Sequence, residues 1–178
     1  LHYREYFAQN GGVTLSGGEP LMQAEFATAF FKQAHAEHLH TCLDTSGCIL
    51  TREVKEVLAH TDRVMLDIKY TTEEDYRTYV GCGMETPLAF LDYLEAEGIA
   101  VTLRQVIIPT VNANKAQVLK LKEIAELHKN VDKVELLPFR KICQVKYDSM
   151  GKAFPFAHIP EPTRRQMAAL DRILDFKQ

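Results

Sequence analysis

Apolar and polar positions along this chain switch repeatedly between a two-residue and a helical period. Gly12-Val13-Thr14-Leu15 reads as a short strand that runs into a Gly-Gly-Glu-Pro turn. Met22, Phe26, Ala29 and Phe30 follow at helical spacing and predict an amphipathic helix. Pro20 suits its first turn, where a missing N–H costs nothing. Residues 40–44 alternate as a strand ended by Thr45-Ser46-Gly47, and Thr51 is placed to cap a helix through Val54, Val57 and Leu58. Residues 63–69 predict a third strand, followed by helical pieces around 73–80 and 86–97. Residues 99–108 predict a fourth strand closed by Pro109, and the next helix carries Val118, Leu121, Ile124 and Ala125. Residues 133–137 predict the last strand, stopped by Pro138. An irregular tail leads to a helix over 162–176, with Met167, Leu170 and Leu174 on one face.

Strand–helix alternation of this kind, with strands starting near 12, 40, 63, 99 and 133, implies right-handed βαβ units and a parallel sheet. The fold class is α/β. Five such strands make either an open doubly wound sheet or an arc of a (β/α) barrel, and periodicity does not choose between them.

Composition narrows the function classes. With 178 residues, 46% of them apolar and 25% charged, the chain is long enough for one domain spanning 1–178. Its 21 basic and 24 acidic side chains nearly balance at −3, which gives no support for a nucleic-acid partner. Mean hydropathy is −0.18, and no apolar run reaches the ~18–20 residues of a membrane-spanning helix. The start lacks the basic, apolar and small-residue order of a secretion signal. The cysteines, Cys42, Cys48, Cys82 and Cys143, lack the close spacings of a zinc ribbon or a disulfide scaffold, so a reduced, cytoplasmic location is expected.

The strand ends carry the chemistry. In Val64-Met65-Leu66-Asp67-Ile68-Lys69 one face is aliphatic, while Met65, Asp67 and Lys69 share the other. A parallel strand covered on both sides is normally apolar on both faces. The exception recurs: His40, Cys42 and Asp44 share a face, Thr102 and Arg104 share a face, and Glu19 directly follows the first strand. Charged groups therefore gather at the C-terminal ends of four consecutive parallel strands, where α/β proteins bind ligands. Asp44 and Asp67 suit an ammonium or a small cation, and Lys69 and Arg104 suit a carboxylate, so the pattern fits a zwitterionic ligand. Gly17-Gly18 lets backbone approach a ligand closely, although Gly-Gly-Glu-Pro alone is a common turn.

Gly11-Gly12-Val13-Thr14-Leu15-Ser16-Gly17-Gly18-Glu19-Pro20 resembles the GGE motif of radical S-adenosylmethionine enzymes, in the extended form of glycyl-radical-enzyme activases such as the pyruvate formate-lyase activating enzymes. His40 to Gly47, Val64 to Lys69, Leu103 to Pro109 and Glu135-Leu136-Leu137-Pro138-Phe139 resemble further segments of that family in the same order. The resemblance covers nearly the whole chain. It implies a partial (β/α)6 barrel, here incomplete with about five parallel strands and outer helices, that binds S-adenosylmethionine across its strand ends. It also implies a [4Fe–4S] cluster that cleaves S-adenosylmethionine to a 5′-deoxyadenosyl radical. That radical abstracts a glycine hydrogen from a glycyl radical enzyme such as pyruvate formate-lyase, with flavodoxin or ferredoxin as electron donor. By position, Gly17, Gly18 and Glu19 would meet the ligand's amino group, and Asp67 and Lys69 would flank its methionine and ribose portions, with Arg104 nearby. Asp44, Thr45, the backbone of Met65 and Asp67 would match a monovalent-cation site beside the ligand's carboxylate.

Two departures stand out. The family's histidine after Leu-Leu-Pro-Tyr is replaced by Arg140, which can donate to the ribose or adenine edge but cannot accept. No cysteine matches the family's C-x3-C-x2-C cluster motif, which lies upstream of the GGE motif. The chain starts at Leu1. The expectation is therefore that its first βα unit, with the cluster cysteines, is missing, that the chain alone is inactive, and that it self-associates through an exposed sheet edge. The alternative is a non-catalytic nucleotide- or partner-binding module derived from the same fold. A zinc hydrolase built on His35, His38 and His40 is disfavoured because those rings span a helix end and a strand start. Neither a nucleophile elbow nor a P-loop is present.

Overall fold

A computed structural model describes residues 11–176. Five parallel strands, β1 (Gly12–Leu15), β2 (His40–Thr45), β3 (Arg63–Asp67), β4 (Ala100–Ile107) and β5 (Val131–Pro138), form one sheet in the order β1-β2-β3-β4-β5. Sequential order decides what periodicity left open. A doubly wound sheet reverses direction part-way, whereas here every crossover moves one strand onward. With right-handed connections the helices then fall on one face, as in an arc of a (β/α) barrel.

The helices are α1 (Ala24–Ala36), α2 (Arg52–Leu58), α3 (Glu73–Asp75), α4 (Glu85–Ala96), α5 (Lys115–Leu127), α6 (Gln144–Ser149) and α7 (Arg164–Leu174). Thr51 caps α2 by accepting from the Val54 amide at 3.3 Å. Thr163 and Gln166 form a reciprocal capping box on α7. The helical piece expected over 73–80 divides: α3 passes directly into a π-helical turn, Tyr76–Val80. Leu43, Val64, Leu66, Val101 and Leu103 from the strands meet Phe31, Val57, Leu58, Phe90, Leu91, Leu94 and Leu121 from the helices in the main core.

The apolar stripe expected on the first helix is corrected. Met22 and Phe26 are 69% and 62% exposed, and Phe30 stands at the edge of solvent at 36%. The face on the sheet is Ala27, Phe31 and Ala34, at positions i, i+4 and i+7. Pro20 begins a separate 3₁₀ turn, Pro20–Gln23, so α1 starts only at Ala24 and its buried face is read from a different origin. The fifth strand extends beyond 133–137 at both ends.

Of the three sequence-adjacent histidines, His35 has a structural role. Its Nε2 lies 3.1 Å from both Asp62 Oδ2 and Thr41 Oγ1, beside the start of β2. Among the described residues no group of three or more His, Cys, Asp or Glu side chains is placed to hold a metal ion. Burial by itself would raise the Asp62 carboxyl. Hydrogen bonds from the Thr41 amide, His35 and the Thr41 hydroxyl outweigh it and hold the group below the usual carboxylate range. A depressed carboxyl stabilises the fold above its unfolded pKa and loses that contribution as pH falls through the folded value. Asp62→Asn is therefore expected to cost about 1 kcal/mol near neutral pH, screening at this partly exposed site included. Urea melts at a series of pH values check this: the gap from the parent should close as pH falls below about 4.

Candidate functional site

The C-terminal ends of β1 to β4 converge on two connected polar groups. The first is built on Glu19. Gly17 and Gly18 adopt φ of +89° and +57°, the left-handed region where glycine is favoured, and they turn the chain from β1 so that Glu19 faces the end of β2. A Cβ on either glycine would meet nothing within 4 Å, so conformation rather than space accounts for them, and they leave an open strip of backbone. Glu19 Oε1 accepts from Thr45 Oγ1 at 2.7 Å and from the Leu21 amide at 3.2 Å. Its Oε2 accepts from the Ser46 amide at 3.0 Å and from Ser46 Oγ at 2.7 Å. The carboxylate's acceptor sites are thereby filled. The two hydroxyls rotate, and they are the donors that an incoming ammonium can replace.

The loop that holds Glu19 is itself tightly seated. Gly47 has φ of +65°, and a Cβ there would lie 2.7 Å from Leu66 Cδ1 and 3.3 Å from the Phe90 ring. Gly47→Ala combines left-handed strain with crowding against the core, and is expected to cost about 2 kcal/mol in a urea melt.

The second group is an ion chain across three strands. The Arg104 guanidinium donates through Nε to Asp67 Oδ1 at 2.9 Å and through Nη2 to Asp44 Oδ1. Asp67 Oδ2 accepts from Lys69 Nζ at 2.7 Å. Ser16 Oγ donates to Asp44 Oδ2 at 2.9 Å and joins the chain to the end of β1. Strand register produces this contact: Asp67 pairs with Arg104 across β3 and β4, and Asp44 pairs with Met65 across β2 and β3. The side chains of Arg104, Asp67 and Asp44 are only 13%, 18% and 21% exposed. Burial works against the Arg104 charge, but Asp67 and Asp44 outweigh it and hold its proton more firmly than usual. Lys69, at 38%, is the more open of the two cations in this ion group. Its amide donates to Tyr76 Oη at 3.0 Å, which ties it to the π-helical turn, and burial pushes the Tyr76 hydroxyl well up.

Gly17, Gly18, Glu19, Asp44, Thr45, Asp67, Lys69 and Arg104 thus stand along one edge. Met65 joins them through its side chain, since its sulfur lies 3.6 Å from Arg104 Nη1. Arg140 is not brought to the ion chain. It pairs with Glu161 at 2.6 Å and lines a separate cavity of about 990 Å³ beyond β4 and β5, together with Tyr79, Phe139, Phe154 and Phe156. The roles of Ser16 and Ser46 are not legible in the sequence. Their only signal is a small hydroxyl residue immediately after a strand.

Residues 3–121 match the Radical SAM superfamily. The chain is 34% identical over 176 residues to the pyruvate formate-lyase 1-activating enzyme of Escherichia coli (strain K12), covering 97% of this chain and 72% of that protein. The chain belongs to the radical SAM superfamily, among the pyruvate formate-lyase activating enzymes. It is also 35% identical over 175 residues to the pyruvate formate-lyase-activating enzyme of Clostridium pasteurianum, covering 98% and 73%. A domain of pyruvate-formate lyase-activating enzyme from Bacteroides vulgatus ATCC 8482 shares the fold of this activase chain, with a TM-score of 0.74, 22% identity and 93% of each chain covered. Streptococcus suis SuiB bound to S-adenosylmethionine shares the fold at a TM-score of 0.66 and 14% identity, over 91% of this chain and 34% of SuiB.

The activase chain's own residues can be tested against the two groups that the superfamily implies. S-adenosylmethionine fits. A strip of open backbone at Gly17-Gly18, a carboxylate with displaceable donors and an open ammonium at Lys69 match an amino acid's two charges. A [4Fe–4S] cluster does not fit these cysteines. Only Cys48 and Cys82 come together, at 3.7 Å, while Cys42 lies on β2 and Cys143 in a 3₁₀ turn after β5. Cluster ligation takes thiolates held close together.

Proposed function

We propose that this chain is the S-adenosylmethionine-holding floor of a glycyl-radical-enzyme activase. The observation that carries this is the pairing, on one edge of one sheet, of the Glu19 cradle with the Asp44–Arg104–Asp67–Lys69 chain. Glu19 and the backbone of Gly17-Gly18 take the ligand's ammonium, and Lys69 takes its carboxylate. Arg104 neutralises Asp44 and Asp67 and keeps that wall rigid. A monovalent cation at Asp44, Thr45, Asp67 and the Met65 backbone would share both carboxylates with Arg104 and complete the wall. Together, a cluster and S-adenosylmethionine supply the reductive cleavage that leads to hydrogen abstraction from a glycine. The cluster's thiolates are then contributed by residues other than these four cysteines, in a first βα unit. The partner is a glycyl radical enzyme such as pyruvate formate-lyase, the electron donor a flavodoxin or ferredoxin, and the location cytoplasmic.

Calorimetric titration with S-adenosylmethionine tests the binding role. The chain should bind it, and Lys69→Ala should weaken binding about tenfold, the loss of one charge-assisted contact. Lys129→Ala, at the opposite, N-terminal side of β5, should leave binding unchanged. No binding, or equal effects of the two variants, would refute the assignment. Anaerobic reconstitution with iron and sulfide tests the rest. A stable [4Fe–4S] spectrum with productive cleavage by this chain alone would contradict the claim that the ligating thiolates come from elsewhere. Self-association through β1 is also proposed. Among the described residues β1 pairs only with β2, and the exposed Met22 and Phe26 lie on the next helical elements. A purely monomeric solution mass at high concentration would rule it out.

A further inference from the structure

Cys48 and Cys82 are 34 residues apart in the chain, yet their sulfurs lie 3.7 Å from each other. Both are free and half-buried, so solvent and small reagents reach them. Cys48 Sγ also faces the Ser46 carbonyl at 3.7 Å, which fits a short chain of donors running from Cys82 through Cys48 to that oxygen. Cys48 follows Gly47 and lies two residues after the Ser46 that holds Glu19. Cys82 sits in the turn that ends the π-helical segment, between Gly81 with φ of +84° and Gly83. A disulfide needs its sulfurs at about 2 Å. Glycines on both sides of Cys82 let that turn move by the small distance required without straining a Cβ.

We propose that Cys48 and Cys82 are a redox-active dithiol whose disulfide locks the Glu19 loop to the turn behind Tyr76. The bond would join the loop that cradles Glu19 to the segment whose Tyr76 hydroxyl holds the Lys69 amide, so both sides of the ligand edge are fixed by one crosslink. The oxidant is a low-molecular-weight disulfide. The Cys48 thiolate attacks one of its sulfurs and releases one thiolate, leaving a mixed disulfide on Cys48. Cys82, deprotonated by solvent, then attacks the Cys48 sulfur and expels the second thiolate. Two cysteines are oxidised and one external disulfide is reduced to two thiols, which take up the two protons lost by the cysteines. Burial, then the neighbouring Cys48, push the Cys82 thiol up, so Cys82 acts second, after Cys48 has been activated as a mixed disulfide. In a reducing compartment the pair rests as thiols, and the bond forms only under oxidation. None of this requires the ligand assignment above, because it depends only on where the two sulfurs stand.

Titrating the chain with oxidised glutathione tests the chemistry. Peptide mapping under non-reducing conditions should recover a Cys48–Cys82 linked peptide that dithiothreitol removes, while Cys42 and Cys143 stay alkylatable. Cys82→Ser should accumulate a glutathione adduct on Cys48 that the parent does not retain. Thermal melts should show Tm raised by roughly 5–10 °C on oxidation of the parent, and by nothing in Cys48→Ser or Cys82→Ser. Amide exchange at residues 46–48 and 76–82 should slow roughly tenfold in the oxidised chain. A parent chain that retains the adduct without a linked peptide, or crosslinks only between molecules, overturns the dithiol. A linked peptide without slower exchange in those two segments overturns the lock.

Discussion

Replacing Arg104 with Ala is expected to destabilise the fold by about 3 kcal/mol, because it removes the one cation shared by two poorly exposed carboxylates and leaves Asp44 unpaired by any charge among the described residues. Arg104 is the only cation that reaches both Asp44 and Asp67 among the described residues, and Asp67 retains only Lys69 once it is gone. Arg104→Lys should cost about 1 kcal/mol, since one ammonium keeps the charge but cannot fork between carboxylates on two strands. Urea denaturation of the parent, both single variants and the triple variant Arg104→Met, Asp44→Asn, Asp67→Asn separates the causes. If the loss comes from unpaired charge, the triple variant should recover most of it. An Arg104→Ala midpoint equal to the parent's would show that the ion chain contributes nothing.

Glu19→Gln is expected to cost about 2 kcal/mol and to abolish measurable binding of S-adenosylmethionine, because an amide presents a donor where the loop also presents donors. The hydroxyls of Thr45 and Ser46 can turn away from the new NH2 group. The amides of Ser46 and Leu21 cannot, and they lie on opposite oxygens of the present carboxylate, so either amide orientation sets one N–H against another. Glu19→Asp keeps the charge and shortens the reach, and should retain weak binding. Urea melts and calorimetry on the same preparations would report both effects. A Glu19→Gln chain that binds like the parent would remove Glu19 from the site.

Asp67 and Arg104 were legible from sequence because a two-residue period assigns each side chain to a face, and a charge on the face of a parallel strand that should be apolar needs an explanation. Glu19 was legible as one of the charges at the strand ends, and its contact with an amino group only through the family motif. Its four hydrogen-bond donors were not, since three of them come from Thr45 and Ser46, more than twenty residues on. The Met22–Phe26–Phe30 stripe misled for a related reason. Two helical registers were apolar, and only the packing of α1 on the sheet selected Ala27, Phe31 and Ala34. Arg140 follows the right strand, but Glu161 from the tail holds it outside the ion chain.

The amino-acid sequence by itself determined the succession of parallel strands and helices, the gathering of charge at the strand ends, and the family. Those properties are local: they follow from which face a side chain occupies and from short ordered motifs. The family resemblance already implied a barrel arc, which the strand order bears out; only the tertiary structure decided that Arg104 bridges Asp44 and Asp67, and that Cys48 meets Cys82. Each of these depends on which strands lie side by side and in what register. Contacts of that kind arise between distant segments, and the period of any single segment is blind to them.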